Sequence, residues 1–395
     1  MAESAQTAEV VVVGGGVMGA SAAWHLAARG CRDVVVLERG ELGGGSTARA
    51  TGGFRAQFST AVNVRLSLLA REKLRRFPEE VGADAGYRPC GYLFLATDEG
   101  QLAALRSRLP IQRAAGIAVG EIAEVTLDEV ARLNPAVRLD GLRGGFFCSL
   151  AGFLRPLSIL EGYAAAAKRL GVRFETGVEV SSVIVEERGG ERRVTAVETN
   201  RGRIAARHLV NAAGAWAGVL AAMAGIDLPV VPLRRQVAAT EPTTALPGDM
   251  PMTVFLDDGF HLRVRDDRAL LLLPVDLPTA DPFDASFEPA WLDAVVARAQ
   301  ARIPRLAAVP IDRAACWAGL YEMSPDKHAI VGKAPGLPNF HLMNGSSGHG
   351  VMHSPALGQL VAEEILDGRA HSIDVHALRP SRFAEGQPNQ GIDLL

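Results

Sequence analysis

Three glycines carry the first chemistry in the chain. Gly14, Gly16 and Gly19 are spaced as GxGxxG within Gly14-Gly-Gly16-Val17-Met18-Gly19. An apolar run at 10–13 precedes them, a helical pattern covers about residues 18–29, and a second apolar run at 34–37 ends in Glu38 and Arg39. This strand–turn–helix–strand context suits the binding of a dinucleotide pyrophosphate. Gly14 permits the tight turn, Gly16 lets the backbone approach the phosphates, and Gly19 lets helix and strand pack closely. Val17 and Met18 stand at the N-terminus of that helix, whose free amides and dipole favour an anion. Glu38 can accept from both ribose hydroxyls and would repel a 2′-phosphate. The alternative is a glycine-rich turn with a surface glutamate, and the context argues against it.

NAD and FAD both fit this fingerprint, and the rest of the chain decides between them. Gly43-Gly-Gly-Ser46-Thr47-Ala-Arg49 follows the first unit, and a later strand ends in Asn211-Ala-Ala213-Gly214-Ala-Trp216. Small residues at these places let the chain run beside a long, extended cofactor, as in flavoproteins. With the segments 46–58, 317–326 and 345–350 added, the chain resembles the D-amino-acid oxidase / sarcosine oxidase family over nearly its full length. It looks most like sarcosine oxidase β subunits, proline dehydrogenase β subunits and dimethylglycine-dehydrogenase-like proteins. The resemblance implies a glutathione-reductase-like Rossmann FAD domain with an inserted antiparallel-sheet substrate domain. It places Ser46, Thr47, Thr51, Gly52 and Gly53 along the cofactor, Val180 at the adenine through its backbone, and Ala213, Gly214 and Trp216 in the channel. The loop Gly348-His349-Gly350-Val351-Met352 is expected beneath the pyrimidine edge of the flavin. Ser354-Pro355 then reads as an N-cap and first-turn pair for a helix running to about Leu366. That helix N-terminus would stabilise charge developing on reduced flavin.

The same resemblance points to Arg55 for the substrate carboxylate, a task suited to a planar guanidinium fork. A structural arginine holding a carbonyl is the alternative. Tyr321 stands where glycine and D-amino-acid oxidases carry an arginine, which shifts carboxylate binding to Arg55 and leaves the phenol as an extra donor, or as core packing. His349 either orients the amine and polarises the flavin or serves its own loop. Gln57 and Phe58 are candidates for the pocket wall, and His261 for facing the pocket. Three departures from the family qualify the reading. Gly319 replaces the cysteine that tethers FAD in monomeric sarcosine oxidases, with Cys316 three residues too early. The histidine that tethers FAD in dimethylglycine dehydrogenase is also missing, since Arg49 and its neighbours stand there, so FAD is expected to bind noncovalently. The lysines that activate oxygen have no counterpart either: Met352 stands at one place and 270–289 holds no lysine. The expected reaction is hydride transfer from a small secondary amine or amino acid to flavin N5, giving an imine that hydrolyses. Sarcosine, N-methyl amino acids and proline are the substrate types. A dehydrogenase subunit passing electrons to a partner protein, and a flavoprotein with an assembly role and no turnover, stay open.

These residues need a scaffold of two joined units, which 395 residues allow. A helical pattern starts at Pro156, and strands are expected at 172–174, 179–186, 194–199 and 203–211, then at 254–256, 261–264 and 269–273. A helix is expected at 290–301. The expected division is 1–85, 150–220 and 325–395 for the FAD-binding domain and 86–149 with 221–324 for the substrate-binding domain. Net charge is −3, which gives no electrostatic footprint for nucleic acid. The four cysteines lack metal or disulfide spacing, and no metal site is expected. The polar start, Met1 to Glu9, shows no signal-peptide pattern and no apolar run reaches transmembrane length, so the cytoplasm is the expected compartment.

Overall fold

The computed structural model describes residues 6–275 and 279–391; the start of the polar stretch Met1 to Glu9 lies outside them. The fingerprint strand Gln6–Val13 sits inside a sheet of eight strands. Parallel neighbours Val34–Glu38 and then Arg173–Thr176 follow on one side. Gly202–Asn211 and then Leu337–Asn344 follow on the other, also parallel. An antiparallel strand, Ile330–Ala334, closes that edge, and a hairpin of Val180–Arg188 and Glu191–Thr199 leans on Gly202–Asn211. Alternation fails in the central strands because both faces are covered: Val10, Val11, Val12, Val34, Val35 and Val36 are all buried.

The helix Val17–Ala28 is buried along almost its whole length, wedged against Pro156–Arg169 and Gly350–Asp367. Its approach to Gly350–Asp367 leaves no side-chain room. A Cβ on Gly358 would lie 2.2 Å from the Ser21 hydroxyl, and that hydroxyl donates to the Ser354 carbonyl at 2.7 Å. The expected start of this last helix at Ser354-Pro355 is incorrect. The helix begins at Gly350, after a turn through Gly348 with φ +89°, and His349 occupies the N-cap. Pro355 lies inside it and can give no amide to the Val351 carbonyl; the Ser354 hydroxyl donates to that carbonyl instead, at 2.9 Å.

The second eight-stranded sheet runs, in spatial order, Trp317–Met323, Val231–Ala239, Arg268–Leu272, His261–Arg265, Met252–Phe255, Tyr92–Ala96, Gly144–Cys148 and Ile122–Val125. It is antiparallel except where Met252–Phe255 runs parallel to Tyr92–Ala96. Its outer face packs on Trp291–Arg302 through a separate core that includes Leu262, Leu271, Trp291 and Val295. No helix among the described residues is long and apolar enough to cross a membrane.

Candidate active site

A cavity of about 770 Å³ runs from the carboxyl ends of the parallel strands to the second sheet. Ligands of open α/β sheets sit in this crevice. At its first end the glycine turn is built by exclusion. A Cβ on Gly14 would lie 2.2 Å from the Ala212 carbonyl oxygen, and one on Gly19 would lie 2.0 Å from the Gly14 carbonyl oxygen. Gly19 therefore serves helix–strand packing and stands back from the cavity, while Gly14, Gly16, Val17 and Met18 line it. The Glu38 carboxylate is aimed by two backbone donors, Gly15 N and Gly40 N, each at 2.8 Å. Each oxygen keeps a lone pair for a further donor. Arg39 lies 3.8 Å over the Trp216 ring, which stacks on Phe283. Val180, Ala213 and Gly214 complete this end.

The middle of the cavity is walled by Ser46, Thr47, Thr51, Gly52 and Gly53. The Thr47 hydroxyl accepts from Val17 N at 3.1 Å, capping the fingerprint helix, and Ser46 donates to Leu320 O at 2.6 Å. Gly348, His349, Gly350, Val351 and Met352 bring the N-terminus of the last helix onto the same cavity. Gly348 is obligatory, since a Cβ there would lie 2.5 Å from the Tyr321 ring.

At the far end Arg55, Tyr321, His349 and His261 share one wall. Arg55 is buried; Nη1 donates to Gln57 O at 3.2 Å and Nη2 to His349 Nε2 at 2.9 Å. A guanidinium can only donate, so Nε2 is the bare acceptor nitrogen. Burial, and then the Arg55 charge, hold His349 well below its ordinary pKa. His349 is thus a neutral support for Arg55, and a role as a protonated cation beside the flavin does not fit. His261 follows the same logic. Its Nδ1 bonds the Gly259 carbonyl at 2.8 Å and burial lowers its pKa to about 4, so Nε2 is an acceptor. Burial pushes the Tyr321 phenol up, which keeps it a neutral hydroxyl. Gln57 and Phe58 are not wall residues. Both are buried behind it, with the Phe58 ring 4.3 Å from the Arg55 guanidinium and edge-on to His349.

Four of the cavity residues that sequence reasoning missed bear on the chemistry. Tyr92 lies against the Gly53 backbone, and burial raises its pKa to about 12. Met252 and Arg235 join the wall, and Arg235 pairs in register with Gly319, two places from Tyr321. Glu322 faces the cavity, accepts from Ser346 N at 3.1 Å, and is raised by burial to about 7. No lysine and no cysteine lines the cavity among the described residues, and Cys316 Sγ instead lies 3.3 Å from the Asp312 carbonyl oxygen.

A dinucleotide cradle that opens onto a second, arginine- and tyrosine-bearing wall defines an FAD-binding oxidoreductase. Residues 9–364 match the FAD dependent oxidoreductase (DAO) family, and the chain belongs to it. Among curated proteins it is 28% identical to FAD-dependent oxidoreductase domain-containing protein 1 of Bos taurus, over 98% of this chain and 86% of that one. It is 29% identical to the mitochondrial dimethylglycine dehydrogenase of Rattus norvegicus, over 97% of this chain and 46% of the relative, so it spans about half of that protein. Among solved structures, L-proline dehydrogenase from P. horikoshii superposes with a TM-score of 0.89 at 29% identity, covering 98% of this chain and 100% of that one. The glycine turn that a Cβ would fill, the aimed Glu38 carboxylate and the helix N-termini fit FAD as the family's cofactor.

Proposed function

We propose that this protein oxidises a C–N bond of a small secondary amine or amino acid, of the sarcosine, N-methyl amino acid or proline type. The family's chemistry, FAD-dependent oxidation of amine- and amino-acid-like substrates, is the frame. One observation carries the finer reading: the buried Arg55 guanidinium opens onto the same wall as Tyr321, His261 and His349. A carboxylate accepts a charge-assisted pair of hydrogen bonds from such a fork. Neutral His261 Nε2 offers an acceptor for an amine N–H, and the Tyr321 hydroxyl a donor. His349 holds Arg55 in place, so the carboxylate and amine together fix which C–H bond faces the cofactor. Bound FAD supplies the two-electron sink. The imine leaves and hydrolyses in water.

An amine that arrives deprotonated needs no protein base, which suits a wall whose two histidines are neutral. The electron acceptor in this reading is a molecule other than oxygen, a partner protein being one candidate, because no lysine lines the cavity among the described residues and neither histidine is charged. An anaerobic screen of N-methyl and cyclic amino acids, read at the flavin absorption band, tests the proposal. Bleaching by at least one of them is expected. A flavin that stays oxidised with every amino acid and amine tried would leave a binding protein without turnover.

A further inference from the structure

The cofactor-side loop that leads to Arg55 is gripped from behind by the second sheet. Trp317 Nε1 donates to Arg49 O at 2.8 Å, and Arg265 Nη1 to Ala50 O at 3.3 Å. Arg263 Nη1 donates to Thr51 O at 2.6 Å and to Gly52 O at 3.2 Å, and Gly52 O also accepts from Leu154 N at 2.7 Å. Four consecutive carbonyls therefore turn toward that sheet. In a trans peptide the N–H points opposite to its C=O. The amide of Thr51 is set by the Ala50 carbonyl and the amide of Gly52 by the Thr51 carbonyl. Both residues line the cofactor cavity, and among the described residues neither amide donates to a protein acceptor.

The loop has no slack. Gly52 has φ +76°, and a Cβ on it would lie 2.3 Å from Leu154 O; one on Gly53 would lie 1.9 Å from the Tyr92 hydroxyl. Arg263 is itself costly. It is buried, no carboxylate among the described residues stands within ion-pair distance, and its guanidinium rests 3.6 Å over the Phe153 ring. Burial lowers its pKa only to about 10, so it stays charged at neutral pH. The Thr51 carbonyl and the Phe153 face are what offset the desolvation of this charge.

We propose that Arg263 is a positioning residue of the cofactor cavity, holding the Thr51 carbonyl so that the Gly52 amide, beside the Thr51 amide that Arg265 sets through Ala50, faces the cavity as a fixed donor. Reduction of a flavin adds electron density to its ring nitrogens and carbonyls, so donors fixed along the cavity wall favour the reduced form over the oxidised one. The inference rests on family membership and on FAD, not on the identity of the substrate.

The experiment is the midpoint potential of FAD-loaded protein, by equilibration with a reference dye, for the parent, Arg263→Met and Arg263→Lys. Arg263→Met should weaken binding of reduced relative to oxidised FAD by about tenfold, a negative shift of ~30 mV for a two-electron couple. Arg263→Lys keeps the charge but loses the Nε donor to Val264 O at 3.4 Å that helps orient the guanidinium, and should fall between the other two. If Arg263→Met fails to load FAD, the lysine variant decides alone: a negative shift supports the proposal. Unchanged potentials in whichever variants hold FAD would overturn it. Neither result depends on any substrate being oxidised.

Discussion

Removal of the Arg55 side chain is the perturbation whose size follows most directly from the cavity wall. Arg55 is 3% exposed, and its guanidinium already holds Gln57 O and His349 Nε2 while covering the Phe58 ring. A bound carboxylate would gain two charge-assisted hydrogen bonds, roughly 1.5–3 kcal/mol each. Truncating one partner of a buried charged pair costs about 3–5 kcal/mol in all. Arg55→Ala should therefore lower kcat/KM for amino acids by roughly 10²–10⁴-fold. For amines without a carboxylate the cost is that of slackened neighbours such as Gln57, His349 and Phe58, and the loss should stay within about tenfold. The assay is anaerobic flavin reduction across a substrate series, with FAD retention and Tm as controls for folding. Equal losses for carboxylate-bearing and carboxylate-free amines would refute the reasoning and make Arg55 a scaffold residue.

Three further outcomes follow from the same wall. FAD should bind without a covalent link, because no cysteine among the described residues lines the cavity and Arg49 and its neighbours stand at the place of the histidine tether; acid precipitation should release all the yellow colour, and flavin left on the pellet would contradict this. Glu322 is raised by burial to about 7 in the fold, above its ordinary value of 4.5. Its contribution to stability is full below 4.5 and is lost as pH rises through about 7, so Glu322→Gln in the cofactor-free protein should gain Tm over the parent as pH rises across that window; a pH-independent difference would place the carboxyl in water. Substrate-reduced enzyme should reoxidise slowly in air-saturated buffer and quickly with an artificial dye, since neutral His349 supplies no charge for superoxide; reoxidation that keeps pace with turnover would assign that task to an arginine of the wall.

What was legible in the sequence is what local geometry dictates. The glycine spacing reads correctly because Gly14 and Gly19 answer to steric limits that no other residue meets. Arg55, Tyr321, His349 and His261 were readable as candidates and do meet on one wall. Tyr92 and Arg235 were not, because strand register is a long-range property. Arg235 reaches the wall only because Val231–Ala239 pairs with Trp317–Met323 so as to set it opposite Gly319. The helix start was misread because Ser354-Pro355 is a strong local signal, yet the turn at Gly348 starts the helix earlier and the Ser354 hydroxyl makes the proline tolerable. The role of His349 was also out of reach, since its charge state depends on burial and on Arg55.

The central claim is that a C–H bond beside nitrogen is broken as the flavin is reduced. Anaerobic stopped-flow mixing tests it most directly, using the best amino acid from the screen with hydrogen or deuterium on the carbon next to nitrogen. The account predicts saturable bleaching of the flavin band in a single turnover, slowed several-fold by deuterium. Absence of bleaching with every amino acid, or bleaching at the same rate for both isotopologues when reduction itself is rate-limiting, would contradict it.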